Sequence, residues 1–287
     1  MSEKFLWTRE AEADRADAMM ARSAGENFPV ALRILPAARR GHLMAIYAFA
    51  RITDDIGDEA PPGERLRMLD ELEADLGRLN DGEVQLPVIR ALRPVICDLG
   101  VPAQLFIDII TANRQDQIVS RYETFAELEG YCRLSANPIG RMVLHVFEQY
   151  SDSRGELSDQ VCTALQLAEH WQDVAEDYRA GRVYLPGEDL RTFGVAESDL
   201  AAPAASPAVR DLLAFETARA RQLLDAGAPL TGTLRGTARL AVGGYVAGGR
   251  AALAAITKAG YDVLAVTATP GKRRTAAELL RAVVTGR

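Results

Sequence analysis

An all-α fold in one domain is what this chain of 287 residues predicts, and three observations carry the prediction. Apolar residues recur at helical spacing through almost every long segment. No stretch shows the strict alternation of a half-buried strand, and no segment repeats. Pro, Gly, Asn and Asp, the residues that stop helices and turn chains, fall between the helical patterns. A chain of this length can bury a substantial core.

The first pattern, over residues 11–22, is an Ala-rich amphipathic helix followed by a break at Gly25. Asn27-Phe28-Pro29 then interrupts the chain, because a residue before proline avoids the helical region. Phe28 either joins the core or caps an apolar pocket. Residues 36–56 read as a helix with Pro36 in its first turn, where the missing N–H costs nothing. Leu43, Ile46, Tyr47, Ala50 and Arg51 lead down one face of it to Asp54 and Asp58, so apolar contacts grade into charge. Tyr47 either fills the core or touches a ligand. Residues 64–79 and 88–99 are further helical patterns with Asn80-Asp81-Gly82 as the turn between them. Pro102 starts another helix, which carries Asn113, Arg114 and Asp116 among apolar neighbours.

Thr124 and Glu127 match a capping box and open a helix bearing Tyr131, Ser135, Ala136 and Gly140. Pro138 should kink that helix and leave room beside its small residues. Residues 157–180 form a long helix whose lining face presents Gln166, Glu169, Asp173 and Asp177. After an Ala/Pro linker at 200–206 come two long Ala-rich helices, 207–227 and 236–260, and a basic amphipathic helix over 273–284.

The acidic residues set the chemistry. Asp54 and Asp58 are four apart, as are Asp173 and Asp177, so each pair projects from one helix face, one turn above the other. A single such pair is most often a solvated acidic face. Here two pairs end helices that are otherwise apolar, each with arginine nearby: Arg51 before the first, Arg179 and Arg182 after the second. Pro61-Pro62 and Gly181 place all four carboxylates in last helical turns, where the dipole disfavours them. A positive partner is expected. Mg²⁺ suits oxygen ligands, keeps several waters, and is usually held by one or two carboxylates plus substrate phosphates. The expected site is a diphosphate clamp.

Charge and cysteines narrow the class further. A net charge of -7 argues against a nucleic-acid partner. Cys97, Cys132 and Cys162 form no metal motif, and their odd number suggests reduced thiols and a cytoplasmic location. The charged N-terminus lacks the apolar core of a signal peptide. The one candidate span, residues 240–256, contains Arg250 and four glycines and is shorter than the roughly 20 apolar residues a bilayer needs, so no transmembrane helix is expected.

The stretches 26–59 (ENFPVALRILPAARRGHLMAIYAFARITDDIGDE), 113–140, 172–186 (QDVAEDYRAGRVYLP) and 244–264 resemble the squalene and phytoene synthase family of head-to-head prenyl transferases, across nearly the whole chain. ENFPVA and the Trp-Gln before Asp173 are most similar to the hopanoid-pathway branch, which converts presqualene diphosphate to hydroxysqualene.

The resemblance implies an isoprenoid synthase bundle around a central cavity. It implies two or three Mg²⁺ ions bridged by the substrate diphosphate and held by Asp54, Asp58, Asp173 and Asp177. It also implies that Asp116 faces the cavity and that Ser135, Ala136, Gly140, Gln166, Tyr184 and Tyr245 line the prenyl path. Arg51, Arg182 and Lys272 or Arg274 would hold the leaving diphosphate. Tyr47, Phe28 and Tyr131 would face a carbocation, at about 0.5–2 kcal/mol each.

Two positions depart from the family pattern: Glu169 where most members have Asn, and Gln172 where many have Arg. Glu169 is either an additional metal ligand or a change in the step catalysed, and His170 beside it is a candidate for orienting water. Sibling reactions stay open: condensation of two farnesyl or geranylgeranyl diphosphates to presqualene diphosphate, squalene or phytoene. A non-catalytic scaffold is disfavoured by the intact aspartates. The expected partners are a prenyl diphosphate, the neighbouring hopanoid-pathway enzymes, and transiently the inner face of a membrane.

Overall fold

The computed structural model describes residues 35–80, 82–266 and 268. The expected helices over 11–22 and 273–284, the Asn27-Phe28-Pro29 interruption with Phe28, and Asp81, Lys272 and Arg274 lie outside the described residues. Within them, helices carry the fold, and extended pairing is limited to one bridge between Arg121 and Val183.

Helix α1, Ala37–Asp58, starts at Pro36 and buries Leu43, Ile46, Phe49, Thr53, Ile56 and Gly57, a stripe of three- and four-residue steps that faces the core. Phe49 meets Phe106 edge-on at 5.1 Å. The terminal carbonyls of α1 would be orphans. Instead Arg65 donates to Ala60 and Asp58 oxygens at 2.8 Å each, and Gln117 donates to the Gly57 oxygen at 3.1 Å. Helix α2, Arg65–Gly77, ends near the buried Asp75, whose carboxylate accepts from the Gln85 and Leu86 N–H groups at 3.0 and 2.8 Å and so fixes the following loop.

The expected helix over 88–99 is divided. Helix α3, Pro87–Ala91, gives way to a π-helical turn, Pro94–Asp98, because Pro94 supplies no N–H to continue the ladder. Helix α4, Gln104–Gln115, packs its Phe106, Ile109 and Ile110 face into the core. Helix α5, Phe125–Ser135, carries the expected capping box. The kink expected at Pro138 is a full break two residues earlier: Ala136 has φ −106° and ψ −45°, and helix α6, Asn137–Val146, begins anew with Pro138 in its first turn.

Helix α7, Asp152–Gln172, is the hub, packed against α5, α6 and the C-terminal helices. It does not run on to residue 180. Asp173 turns out of the helix at φ −103° and ψ 12°, and the short helix α8, Val174–Arg179, follows. After α8, residues 182–186 run extended beside 120–123, through bonds of 2.9 Å from Val183 N to Ser120 O, Gly187 N to Tyr122 O and Glu188 N to Glu123 O.

Helix α9, Gly187–Thr192, and a 3₁₀ turn, Glu197–Ala201, precede helix α10, Pro207–Gly227, so the Ala/Pro linker is partly ordered as that turn. Helices α11, Leu230–Thr233, and α12, Gly236–Lys258, complete the described bundle. Glycine sets the spacing: a Cβ on Gly227 would sit 2.6 Å from the Leu157 carbonyl oxygen and 2.8 Å from Val161 N. Helix α12 is long and apolar enough to cross a membrane, but 67% of its most apolar window is buried against the rest of the fold.

Candidate functional site

The C-terminus of α1, the end of α4, the α7–α8 joint and the extended 182–186 segment converge. The clearest tie between the two acidic motifs is Arg182, whose guanidinium donates to Asp58 Oδ1 at 2.9 Å across 124 residues of sequence. Extended pairing beside 120–123 is what aims it there.

Each carboxylate has a distinct setting. Asp54 accepts from Asn113 Nδ2 at 3.2 Å. Its side chain keeps an opening to solvent, yet protein atoms crowd it; this desolvation, reinforced by Asp58 and opposed by Asn113, raises its pKa to about 6. Asn113 reaches it because Gly57 has no side chain, and a Cβ there would run into the Asn113 amide. Asp116 accepts from Tyr131 OH at 2.8 Å, and burial raises its pKa to about 6. Asp177 is raised to about 7, by burial first and Asp173 second, and burial also raises Asp173. Arg182 faces Asp58, Asp116 and Tyr184. Burial works against its cation, but these neighbours outweigh it and the pKa is raised.

The helix-end argument holds for one motif. Asp58 is the last residue of α1, whereas Asp177 lies in the first turn of α8 and Asp173 at the joint before it. The four-residue relation survives, since Asp177 N donates to Asp173 O at 2.8 Å. Glu169 is exposed on the last turn of α7. Arg51, expected on the diphosphate, pairs with Asp55 at 2.7 Å and Glu59 at 3.5 Å.

Beside the acids lies an aromatic wall. Tyr131, Tyr122 and Tyr184 pack with ring centroids 5.6–6.0 Å apart. His170 stacks on Tyr184 at 3.7 Å and 14°. Burial holds His170 far below its usual pKa, at about 3, so the ring is neutral. Tyr122 was not singled out from the sequence, although it stands in the Arg121-Tyr122 pair of the matching stretch.

Beyond this wall is an apolar cavity of about 740 Å³ of atom-free space, mouth included. Ser135, Ala136, Gly140, Gln166 and Tyr245 line it, five of the positions expected along a prenyl path. Tyr47 is half-buried and is not among the lining residues. The α5–α6 break opens the wall, since Ala136 and Gly140 flank it.

The donor set bears on a metal. Among the described residues no three carboxylate, histidine or cysteine side chains gather closely enough to hold an ion alone. Mg²⁺ suits a site of this kind, since it takes one or two carboxylates and completes its shell with phosphate and water. Raised pKa values at Asp54, Asp173 and Asp177 mark negative charge without full compensation, which a cation would supply.

The family model for squalene/phytoene synthase matches residues 21–279. The chain belongs to the squalene/phytoene synthase family. Among the relatives of this synthase, the hydroxysqualene synthase of Rhodopseudomonas palustris is 39% identical over 213 residues, covering 73% of this chain and 72% of that one. The phytoene synthase of Mycobacterium tuberculosis is 33% identical, covering 64% and 61%. Among solved structures, a squalene synthase from Alicyclobacillus acidocaldarius is 40% identical with a TM-score of 0.80, covering 86% of this chain and 94% of that one. A dehydrosqualene synthase in complex with a ligand has a TM-score of 0.83 at 26% identity, covering 93% and 94%. The helical isoprenoid-synthase fold is thereby established, and with it synthase-type activity.

Proposed function

We propose that the protein converts presqualene diphosphate to hydroxysqualene and releases diphosphate, with Mg²⁺ as cofactor. The observation that carries this reading is the link between an apolar cavity and the acidic region beside it: Gln166 lines the cavity and meets His170, which shares a chamber with Asp177 and Arg182, so one end would receive a hydrocarbon chain and the other a charged diphosphate. The similarity to hydroxysqualene synthases supports the choice of substrate.

Asp54, Asp58, Asp173 and Asp177 would hold the metal, which polarises the diphosphate oxygens and makes them a better leaving group. Arg182 orients the diphosphate through its planar fork. Tyr131 would face the carbocation, with Asp116 fixing its hydroxyl, and Tyr184 backs Tyr131 within the aromatic wall. The apolar walls exclude stray nucleophiles, and water captures the cation. We place the reaction in the cytoplasm, with the lipid product passing to the inner face of a membrane and on to hopanoid-pathway enzymes.

Head-to-head condensation of two prenyl diphosphates is the second reading, favoured by the likeness to phytoene and dehydrosqualene synthases. The deciding experiment incubates the protein with Mg²⁺, without NADPH, and separately with presqualene and farnesyl diphosphates. A C30 alcohol from presqualene diphosphate, carrying oxygen from labelled water, supports the first reading. Consumption of farnesyl diphosphate alone to a C30 diphosphate or hydrocarbon overturns it in favour of the second.

A further inference from the structure

A water-captured cation needs a water held in one place, and the site offers a particular pair of side chains for it. Gln166 lines the apolar cavity. One helical turn on, His170 lines a second, smaller chamber of about 180 Å³ of atom-free space together with Asp177, Arg182 and Tyr184. The two side chains meet, with Gln166 Nε2 3.3 Å from His170 Nε2. They thus join the hydrocarbon end of the site to its diphosphate end.

The imidazole is 7% exposed and pinned face-to-face on Tyr184, so its ring plane is fixed. Its Nδ1 makes no hydrogen bond among the described residues. A polar nitrogen with no protein partner is ordinarily bonded to water. Asp177, Arg182 and Tyr184, which line the same chamber, give such a water further polar partners. The nearby hydroxyls are otherwise engaged: Ser135 Oγ donates to the Tyr131 carbonyl at 3.2 Å, and Ser158 Oγ sits 4.0 Å from Cys162 Sγ.

We propose that the Gln166–His170 pair is the positioning device that holds the capturing water and so sets the fate of the cation as alcohol rather than hydrocarbon. This inference rests on the hydroxysqualene reading. In the step, the carbon–oxygen ester bond breaks with its electron pair on diphosphate. A lone pair of the held water forms the new carbon–oxygen bond, and the surplus proton passes to the released diphosphate. No oxidant or reductant enters. Without the held water, the cation loses a proton and leaves as hydrocarbon.

The test supplies presqualene diphosphate and Mg²⁺ in ¹⁸O-water to the wild type, His170→Phe and Gln166→Leu, and reads the ratio of labelled alcohol to hydrocarbon. His170→Phe keeps an aromatic ring on Tyr184 but has no nitrogen. Both variants are expected to lower the alcohol fraction by at least about tenfold, whatever the overall rate, because loss of a hydrogen-bonded site costs about 1.5 kcal/mol or more. A purely structural role would slow both products together. An alcohol fraction within twofold of wild type in His170→Phe overturns the inference.

Should neither variant fold, a crystal structure of the wild type with a non-hydrolysable diphosphate analogue decides: a water bonded to His170 Nδ1 supports the inference, and a dry nitrogen refutes it. A wild type that makes no alcohol removes the hydroxysqualene reading and this inference with it, an outcome distinct from unchanged ratios in an alcohol-forming enzyme.

Discussion

Replacing Arg182 separates binding from stability. Its ion pair with Asp58 is half in solvent, the side chains being 26% and 56% exposed, and pairs of that kind contribute about 0–1 kcal/mol. For a chain of this size about 1 kcal/mol moves Tm by about 2–4 °C, so Arg182→Leu should melt within about 4 °C of wild type. Binding is another matter. Arg182 is the cation facing Asp58, Asp116 and Tyr184 at the mouth, and charge-assisted hydrogen bonds to a diphosphate are each worth about 1.5–3 kcal/mol. The kcat/KM for diphosphate release should therefore fall by about ten- to hundredfold. Arg182→Lys keeps the charge without the fork and should fall between. Calorimetric melting beside a coupled diphosphate-release assay reads both quantities. A loss of kcat/KM below about threefold in Arg182→Leu would show that Arg182 only ties two segments together, and a Tm loss of more than about 10 °C would show that the exposed-pair reasoning is wrong.

Other outcomes follow from the same geometry. Glu216 is fully buried, shares Arg219 with Asp189, and has its pKa raised from 4.5 to about 8, by burial above all. The folded state keeps that proton longer than the unfolded chain, so stability should fall as pH rises from about 4.5 to about 8, by on the order of 5 kcal/mol at most; urea melts of Glu216→Gln should lose most of this slope. Gly227→Ala drives a methyl into backbone atoms 2.6–2.8 Å away and should cost about 1–3 kcal/mol, while Gly244→Ala, with nothing within 4 Å, should be neutral or stabilising in thermal melts. Gly57→Ala should displace Asn113 from Asp54 and weaken Mg²⁺-dependent diphosphate binding by about tenfold in titration calorimetry, the worth of one hydrogen bond to a charged group. Chelation of Mg²⁺ should abolish diphosphate release and leave the helical circular dichroism intact, since no described carboxylate cluster needs the ion to fold.

What the sequence made legible was local. Thr124 and Glu127 form their capping box within four residues, and the Leu43–Ile46–Phe49 stripe follows from helical period alone. The joint at Asp173 was not legible: residues 166–180 contain neither Gly nor Pro, so no residue marks the place where α7 ends. Nor was the extended 182–186 segment, too short to show alternation and paired with a partner more than 60 residues away. Without it, Arg182 was placed only as a basic neighbour of the second acidic pair, and Tyr184 by resemblance. The pairing of Arg51 was also readable, because an arginine with Asp55 four residues ahead can satisfy itself on its own helix. The Pro94 break was readable and was passed over.

Helix α12 has the hydropathy of a membrane span and yet rests in a groove between α7 and α10. During synthesis the chain emerges in order, so that groove is assembled before its occupant leaves the ribosome. Until the two meet, each displays a continuous greasy face. Any change that delays their docking, such as a wider contact at Gly249, where a Cβ would press on Leu165 and Leu224, exposes that face to chaperones and to the membrane-insertion machinery. Yield and sorting in the cell would then suffer even where the folded enzyme is fully active.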